Sequence, residues 1–353
     1  MLRSRYEISD VIGQGGMGRV YLALDRRLEG RRCAIKEVLP LPPVPAADPL
    51  AASRHPADSA EGGAEDRAAN AMREQFRREA RVLAQLDHPN LPKVSDYFSV
   101  EGRDYLVMDF VAGQDLRAIV GDARQRGRFL PENQVLLWAD QLCDALTYLH
   151  NQEPPVVHRD VKPANIKLTP AGQIKLVDFG LVTSLSPEDL ETVTVVRGAG
   201  SLAYMPLEQF SADSRDIDVR SDIYSMGATL YHLLTGQTPP TAQGHFLRPG
   251  ALTPPSEINP AITPHVEAAI LQAMSPHPEG RPASVEEFRR LLFAGPASAD
   301  RGADTMNRAA EPPTRAVERS SRGWDWPAIV RANLAWIVLA LAMLAWAVFV
   351  TFR

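Results

Sequence analysis

Apolar and polar residues alternate with a two-residue period from Tyr6 to about Glu37, broken by a glycine-rich turn at 13–18 and a polar turn, DRRLEGRR, at 25–32. That period puts every second side chain on one face of a pleated strand, so three antiparallel strands are predicted. From Pro40 to about Asn70 the period disappears. Pro, Ala, Asp and Ser dominate there, including the run PLPPVPAADP, and too little apolar surface remains for packing. A disordered insertion over about 40–70 is expected, a plain spacer being preferred to a regulatory contact. Phe76, Ala80, Leu83 and Ala84 then recur at helical spacing until the proline of DHPN, which predicts a helix over 73–86. Strands are expected around 94–111. Beyond Pro131 the period is helical at 132–150, 219–235, 263–274 and 284–293, with short strands near 166–168 and 174–177. The pattern describes an α+β chain with a small β-rich lobe ahead of a larger helical one.

The last part of the chain follows different rules. Residues 296–333, rich in Ala, Arg, Pro and Ser, read as a flexible linker. Residues 334–352, LAWIVLALAMLAWAVFVTF, carry no charge, and Thr351 is their one polar side chain. At about 1.5 Å per residue such a run covers roughly the 30 Å hydrocarbon core of a bilayer. A transmembrane helix is therefore expected; a buried core helix is the alternative, but no later element follows to cover it. Arg315, Arg319, Arg322 and Arg331 precede the run and only Arg353 follows it, so the bulk of the chain is expected on the cytoplasmic side of a plasma membrane, single-pass. No outer domain is expected after the helix. Trp324, Trp326 and Trp336 suit the near interface, although the first two could equally touch the folded body.

Composition narrows the function. The 353 residues are 45% hydrophobic and 23% charged, ordinary for a globular protein. A net charge of −5 offers no basic surplus for binding a phosphate backbone, so nucleic acid is not an expected partner. Cys33 and Cys143 form no C-x-x-C pair, which argues against a disulfide framework or a zinc site. The N-terminus has no apolar stretch of the secretory kind. Only five of the 38 cationic residues are lysine, a bias typical of GC-rich bacterial genomes.

Four short motifs carry chemistry. In IGQGGMGRV, Gly13, Gly15 and Gly18 form G-x-G-x-x-G, and RVYLALD continues as a strand. A dinucleotide-binding turn would open a helix at that point, so a phosphate-covering flap fits better, with a plain glycine-rich hairpin as the alternative. CAIK places Lys36 on the next strand. The segment VVHRDVKPANIKL contains His158, Arg159, Asp160, Lys162 and Asn165, and VDFG supplies Asp178, Phe179 and Gly180 thirteen residues after Asn165. Each string alone could be a turn with an Asx cap; their order and spacing together make coincidence a poor explanation.

With these motifs the chain resembles the eukaryotic-like bacterial Ser/Thr protein kinases over about residues 6–293. The resemblance implies a two-lobed protein-kinase fold at 1–295, with an N-lobe at about 6–110 and a C-lobe at about 111–295. It also implies transfer of the γ-phosphate of ATP, with Mg²⁺, to Ser or Thr hydroxyls of protein substrates. Ile12, Gly13, Gln14, Gly15, Gly18, Val20 and Ala34 would surround the nucleotide. Met108 falls at the gatekeeper position, Asp109 to Val111 in the hinge facing adenine, and Asp115 at the ribose acid. Lys36 would hold phosphate and pair with Glu79, or failing that with Glu74. Asp160 would accept the substrate proton, Lys162 would steady the γ-phosphate, and Asn165 and Asp178 would ligate metal.

The resemblance also implies control. Arg159 directly before Asp160 fits activation by loop phosphorylation, with Thr192 and Thr194 the expected sites, and a dimer that phosphorylates itself in trans would supply the phosphate. Ser201 stands where the family usually has Thr. Asp222 would anchor the catalytic loop, and Glu208 would pair with Arg281. Two departures stand out: MPLEQ moves the proline of the segment-closing motif one place forward, and Lys167 occupies the normally apolar floor beneath adenine. The Pro- and Gly-rich stretch after Thr235 suggests a shortened or missing helix. A catalytically silent scaffold and a small-molecule phosphotransferase are the alternatives. Retention of Lys36, Glu79, Asp160, Asn165 and Asp178 speaks against the first, and the glycine loop, Glu208 and the HRDVKPAN string against the second.

Overall fold

A computed structural model describes residues 1–15, 18–38, 74, 76–178, 199–210, 217–248 and 250–295 of the protein. The expected insertion at 40–70, Phe179, Gly180, Thr192, Thr194, the linker at 296–333 and the apolar run at 334–352 lie outside these residues. Among the described residues no helix is long and apolar enough to cross a membrane.

The predicted hairpins form a five-stranded antiparallel sheet from β1 (Tyr6–Gly15), β2 (Gly18–Asp25), β3 (Arg31–Val38), β4 (Val94–Val100) and β5 (Arg103–Asp109), in the order β1-β2-β3-β5-β4. Register shifts in β1 between Ile8 and Asp10 and between Val11 and Gly13 mark bulges, which bend a strand and raise its twist. The glycine-rich turn therefore sits at the end of a curved ribbon. The central strand β3 is buried on both faces from Cys33 to Glu37, because helix α1 over 76–85 covers part of the lobe with Phe76, Ala80 and Leu83. On the other face Tyr6, Ala23, Cys33, Ile35, Phe98, Tyr105 and Val107 form a separate apolar cluster.

The helical lobe is built around α4 (Val219–Thr235), after α2 (Leu116–Gln125) and α3 (Glu132–His150). Helix α3 is amphipathic: Val135, Trp138, Ala139, Leu142, Cys143, Leu146 and Leu149 trace one buried stripe. Helix α4 is buried almost all round, the signature of an element at the centre of a fold. It begins at Asp218, whose carboxylate accepts from the Arg220 N–H at 2.8 Å, and ends at Gly236 in the left-handed region, φ 65°. Helices α5 (Ala242–Leu247), α6 (Pro255–Ile258), α7 (Pro264–Ala273) and α8 (Val285–Leu292) complete the lobe. The helix anticipated to be shortened after Thr235 is the six-residue α5. A second sheet, β6 (Gln114–Asp115), β7 (Ile166–Leu168) and β8 (Ile174–Leu176), lies at the boundary between the lobes.

Candidate active site

The boundary holds a cleft of about 720 Å³. Its roof comes from the sheet: Ile12, Gly13, Gln14, Gly18, Val20, Ala34 and Lys36. Met108, Asp109, Phe110, Val111, Gly113 and Asp115 form the back and side, and Lys162 to Asn165, Lys167, Val177 and Asp178 the floor. Gly15, Glu79 and Asp160 are not among the lining residues; Glu79 lies half-buried on α1, and Asp160 is bonded to Lys162 and Asn165 of the floor.

The floor is held rigidly from below. The Asp222 carboxylate, fully buried on α4, accepts the backbone N–H groups of His158 and Arg159 at 2.8 Å each and meets His150 Nε2 at 2.9 Å. Seven residues on, the same face of α4 presents Thr229, whose hydroxyl donates to the Val161 carbonyl at 3.3 Å. Burial pushes the Asp222 carboxyl up, but the hydrogen bond and charge of His150, with His158, outweigh that and hold it below the usual carboxylate range. Burial depresses His158, against the opposing pull of Asp222 and Asp160. Arg159 adopts φ 66°, a strained backbone for a residue with a side chain, and the two bonds to Asp222 fix it.

On this support the polar groups converge. Lys162 Nζ donates to both oxygens of Asp160, at 3.0 and 2.9 Å, and to Ser201 Oγ at 3.0 Å. Asn165 Nδ2 donates to the Asp160 carboxylate at 2.8 Å and to its carbonyl at 2.9 Å. With its amide nitrogen so engaged, Asn165 has the lone pairs of Oδ1 left to offer. The Asn165 carbonyl accepts the Val177 N–H at 2.8 Å, which brings the next residue, Asp178, beside it. Asp178 has φ 68° and accepts from Lys36, whose amine is buried under the sheet. A lysine 142 positions away in the chain thus faces the floor carboxylate.

Asp115 caps α2 through the Ala118 N–H at 2.8 Å and remains half-buried in the cleft wall. The Asp109 N–H is committed to the Lys93 carbonyl at 3.0 Å. Lys167 does not point its amine at the floor: Nζ turns to the Gly113 carbonyl at 3.4 Å, leaving the aliphatic stem along the cleft. Gly113 itself has φ 125°, and a Cβ there would stand 2.0 Å from the Leu168 carbonyl oxygen, so only glycine fits.

Away from the cleft, Glu208 receives both arms of Arg281, at 2.7 and 3.0 Å, and the Ser221 hydroxyl at 2.6 Å. Displacement of the proline in MPLEQ leaves this bidentate pair intact. Sequence reasoning missed His150 beneath Asp222, and also the wall formed by Arg117, Tyr204, His232 and Thr238. Tyr204 OH meets His232 Nδ1 at 2.6 Å. No short motif signals these residues; they meet only because α2, α4 and the short 3-10 helix Ala199–Tyr204 pack together.

The family model for the protein kinase domain matches residues 63–248. This chain belongs to the protein kinase family. Among its curated relatives, a probable serine/threonine-protein kinase of Streptomyces coelicolor is 34% identical over 297 residues, 82% of this chain and 39% of the relative. The serine/threonine-protein kinase PknB of Mycobacterium tuberculosis is 32% identical over 301 residues, 82% of this chain and 43% of that protein. The kinase-family chain thus spans about two fifths of the length of these relatives. Among solved structures, PpkA-294 in its apo form superposes with a TM-score of 0.62 at 27% identity, covering 82% of this chain and 96% of that one. The Mycobacterium tuberculosis PknI kinase domain gives 0.58 at 27% identity over 82% and 96%. The two-lobed kinase fold holds in the described residues, and the matched relatives are bacterial Ser/Thr kinases.

Proposed function

We propose that this chain transfers the γ-phosphate of ATP to Ser or Thr hydroxyls of proteins, its own activation loop included, while tethered to the cytoplasmic face of a membrane. The observation that carries this reading is the convergence of Lys36, Lys162, Asn165 and Asp178 on one cleft, with Asp160 bonded to both Lys162 and Asn165. Phosphoryl transfer needs little covalent help from a protein: the transition state spreads negative charge over oxygens, and catalysis is positioning plus charge stabilisation.

The chain's residues divide that work. Lys36 holds phosphate oxygens from above. Asp160 orients the acceptor hydroxyl and takes its proton, and Lys162, bonded to Asp160 and to Ser201, stands where charge builds on the transferring group. The donor set suits Mg²⁺, which characteristically takes one or two protein oxygens plus phosphate. Asn165 Oδ1 and the Asp178 carboxylate are those oxygens. When bound, the metal neutralises charge on the phosphates and orients them. The relatives' names support the Ser/Thr assignment. Thr192 and Thr194 as loop phosphosites, trans-phosphorylation in a dimer, and membrane attachment through 334–352 rest on the sequence.

Incubation of the full chain with radiolabelled ATP, Mg²⁺ and a Thr-containing acceptor tests the core of this. Removing the general base by Asp160→Asn is expected to lower turnover by about 10²–10⁴-fold. Equal turnover in the variant sinks the assignment of Asp160, and nucleotide binding without transfer in the parent chain favours the silent scaffold.

A further inference from the structure

The cleft has a second end, beyond Lys162 and Ser201, walled by Tyr204, His232, Thr238 and Arg117. Its electrostatics differ from those of the nucleotide end. Each acid lining the cleft is engaged elsewhere: Asp109 with Arg31, Asp115 with the α2 N-terminus and Asp178 with Lys36, while Asp160, outside the lining, is held by Lys162 and Asn165. The far end carries none of them.

What it carries is arginine. Arg117 and Arg124 are seven residues apart on α2, so both lie on one face of the helix, with Gly121 between them. A Cβ at Gly121 would meet nothing within 4 Å, so the helix surface between the two arginines is open. The face is directed at α4: a Cβ placed on Gly236 would contact Arg124 Cβ at 3.9 Å. The charge of Arg117 reaches Tyr204 and that of Arg124 reaches His232. Asp122, the one acid within α2, is on the opposite side of the helix. Both arginines are exposed, and neither forms an ion pair among the described residues.

We propose that the Arg117–Arg124 face of α2 is a specificity subsite that takes an anionic side chain of the protein substrate, carboxylate or phosphate, lying beside the Ser or Thr to be modified. The inference rests on the phosphotransfer reading of the same cleft. A planar guanidinium fork matches both kinds of oxyanion. Two of them on one open helix face, with Arg117 lining the cleft, would select by charge without touching the reacting atoms.

Peptide binding tests the subsite independently of transfer. Fluorescein-labelled degenerate peptides with a fixed Thr acceptor, and one neighbouring position set to Glu, phosphoserine, Gln or Lys, are titrated with the full chain, Mg²⁺ and a non-hydrolysable ATP analogue. At solvent-exposed sites the Glu and phosphoserine peptides are expected to bind about fivefold tighter than the Gln peptide. That advantage is expected to vanish at salt on the order of 1 M and to collapse to parity in the Arg117→Gln, Arg124→Gln double variant. The Arg117→Lys, Arg124→Lys variant should restore part of it. A phosphoserine peptide well ahead of Glu identifies phosphate as the ligand, and similar values identify a carboxylate. Equal binding of Glu, Gln and Lys peptides, or a preference that survives in the double Gln variant, overturns the proposal. A chain that prefers acidic peptides yet moves no phosphate defeats the phosphotransfer reading alone; one that moves phosphate without that preference defeats the subsite alone.

Discussion

At the scale of single residues, the site depends on buried polar groups whose protonation is set by their surroundings. His232 is an example: burial and the nearby Arg124 push its pKa down to about 4 from 6.5, so its neutral ring accepts the Tyr204 hydroxyl. Burial pushes Tyr204 up to about 12, which keeps it protonated as the donor. A histidine whose folded pKa lies below its unfolded value stabilises the fold fully above the unfolded value, and loses that contribution as pH falls from 6.5 toward 4. Urea midpoints of the protein are therefore expected to drop between pH 7 and pH 5 as up to about one proton is taken up on unfolding at this site. His158, also depressed by burial, adds to the fall. His232→Gln, which cannot titrate, should show a shallower fall than the parent; the same slope in both would contradict the assignment. Motif spacing identified Asp160, Lys162 and Asn165 as neighbours because they lie within six positions of one another. It could not show that Lys167 would turn its amine to the Gly113 carbonyl, since that depends on where the hinge runs.

Among elements, α4 has the largest role. One helix supplies Asp222 and Thr229 to the catalytic loop, Ser221 to Glu208, and Ser225, whose hydroxyl donates to the Tyr204 carbonyl at 2.8 Å. Its packing is close enough to leave no room for another methyl group: a Cβ at Gly227 would come within 2.9 Å of Ala273 Cβ and 3.1 Å of Met274 Cγ. Replacing a helical glycine by alanine normally gains about 1 kcal/mol of propensity, whereas overpacking a core costs about 1–3 kcal/mol. Gly227→Ala is expected to be destabilising by up to about 2 kcal/mol on balance, read from the denaturant midpoint, because backbone and side chains of two helices must shift. A gain in stability would mean that α7 yields more easily than the contact distances imply. The helical period of 219–235 was plain in the sequence. Its central position was less so: burial on every side follows from the helices that surround it.

At the scale of the whole molecule, the described body is a two-lobed kinase fold, and the remainder is known by composition alone. The apolar run at 334–352 predicts that the full chain sediments with membranes and resists extraction by high salt, since apolar contacts are not screened by ions. A chain ending at residue 333 should leave the membrane fraction; retention of that truncated chain there would remove the run from the anchoring account.

The amino-acid order on its own determined the longer strands and helices and their succession, because period and punctuation are local properties written within a few residues; the ten-residue α2 and the four-residue α6 carried too few turns of clear period to be read. It also determined the family, because the catalytic loop is a short continuous segment that can be read without a fold. Only the tertiary structure decided which distant groups meet: Lys36 with Asp178, Asp222 with His150, Tyr204 with His232. Those contacts join positions tens to more than a hundred residues apart. They arise from the packing of whole elements against a buried helix, which no local pattern encodes.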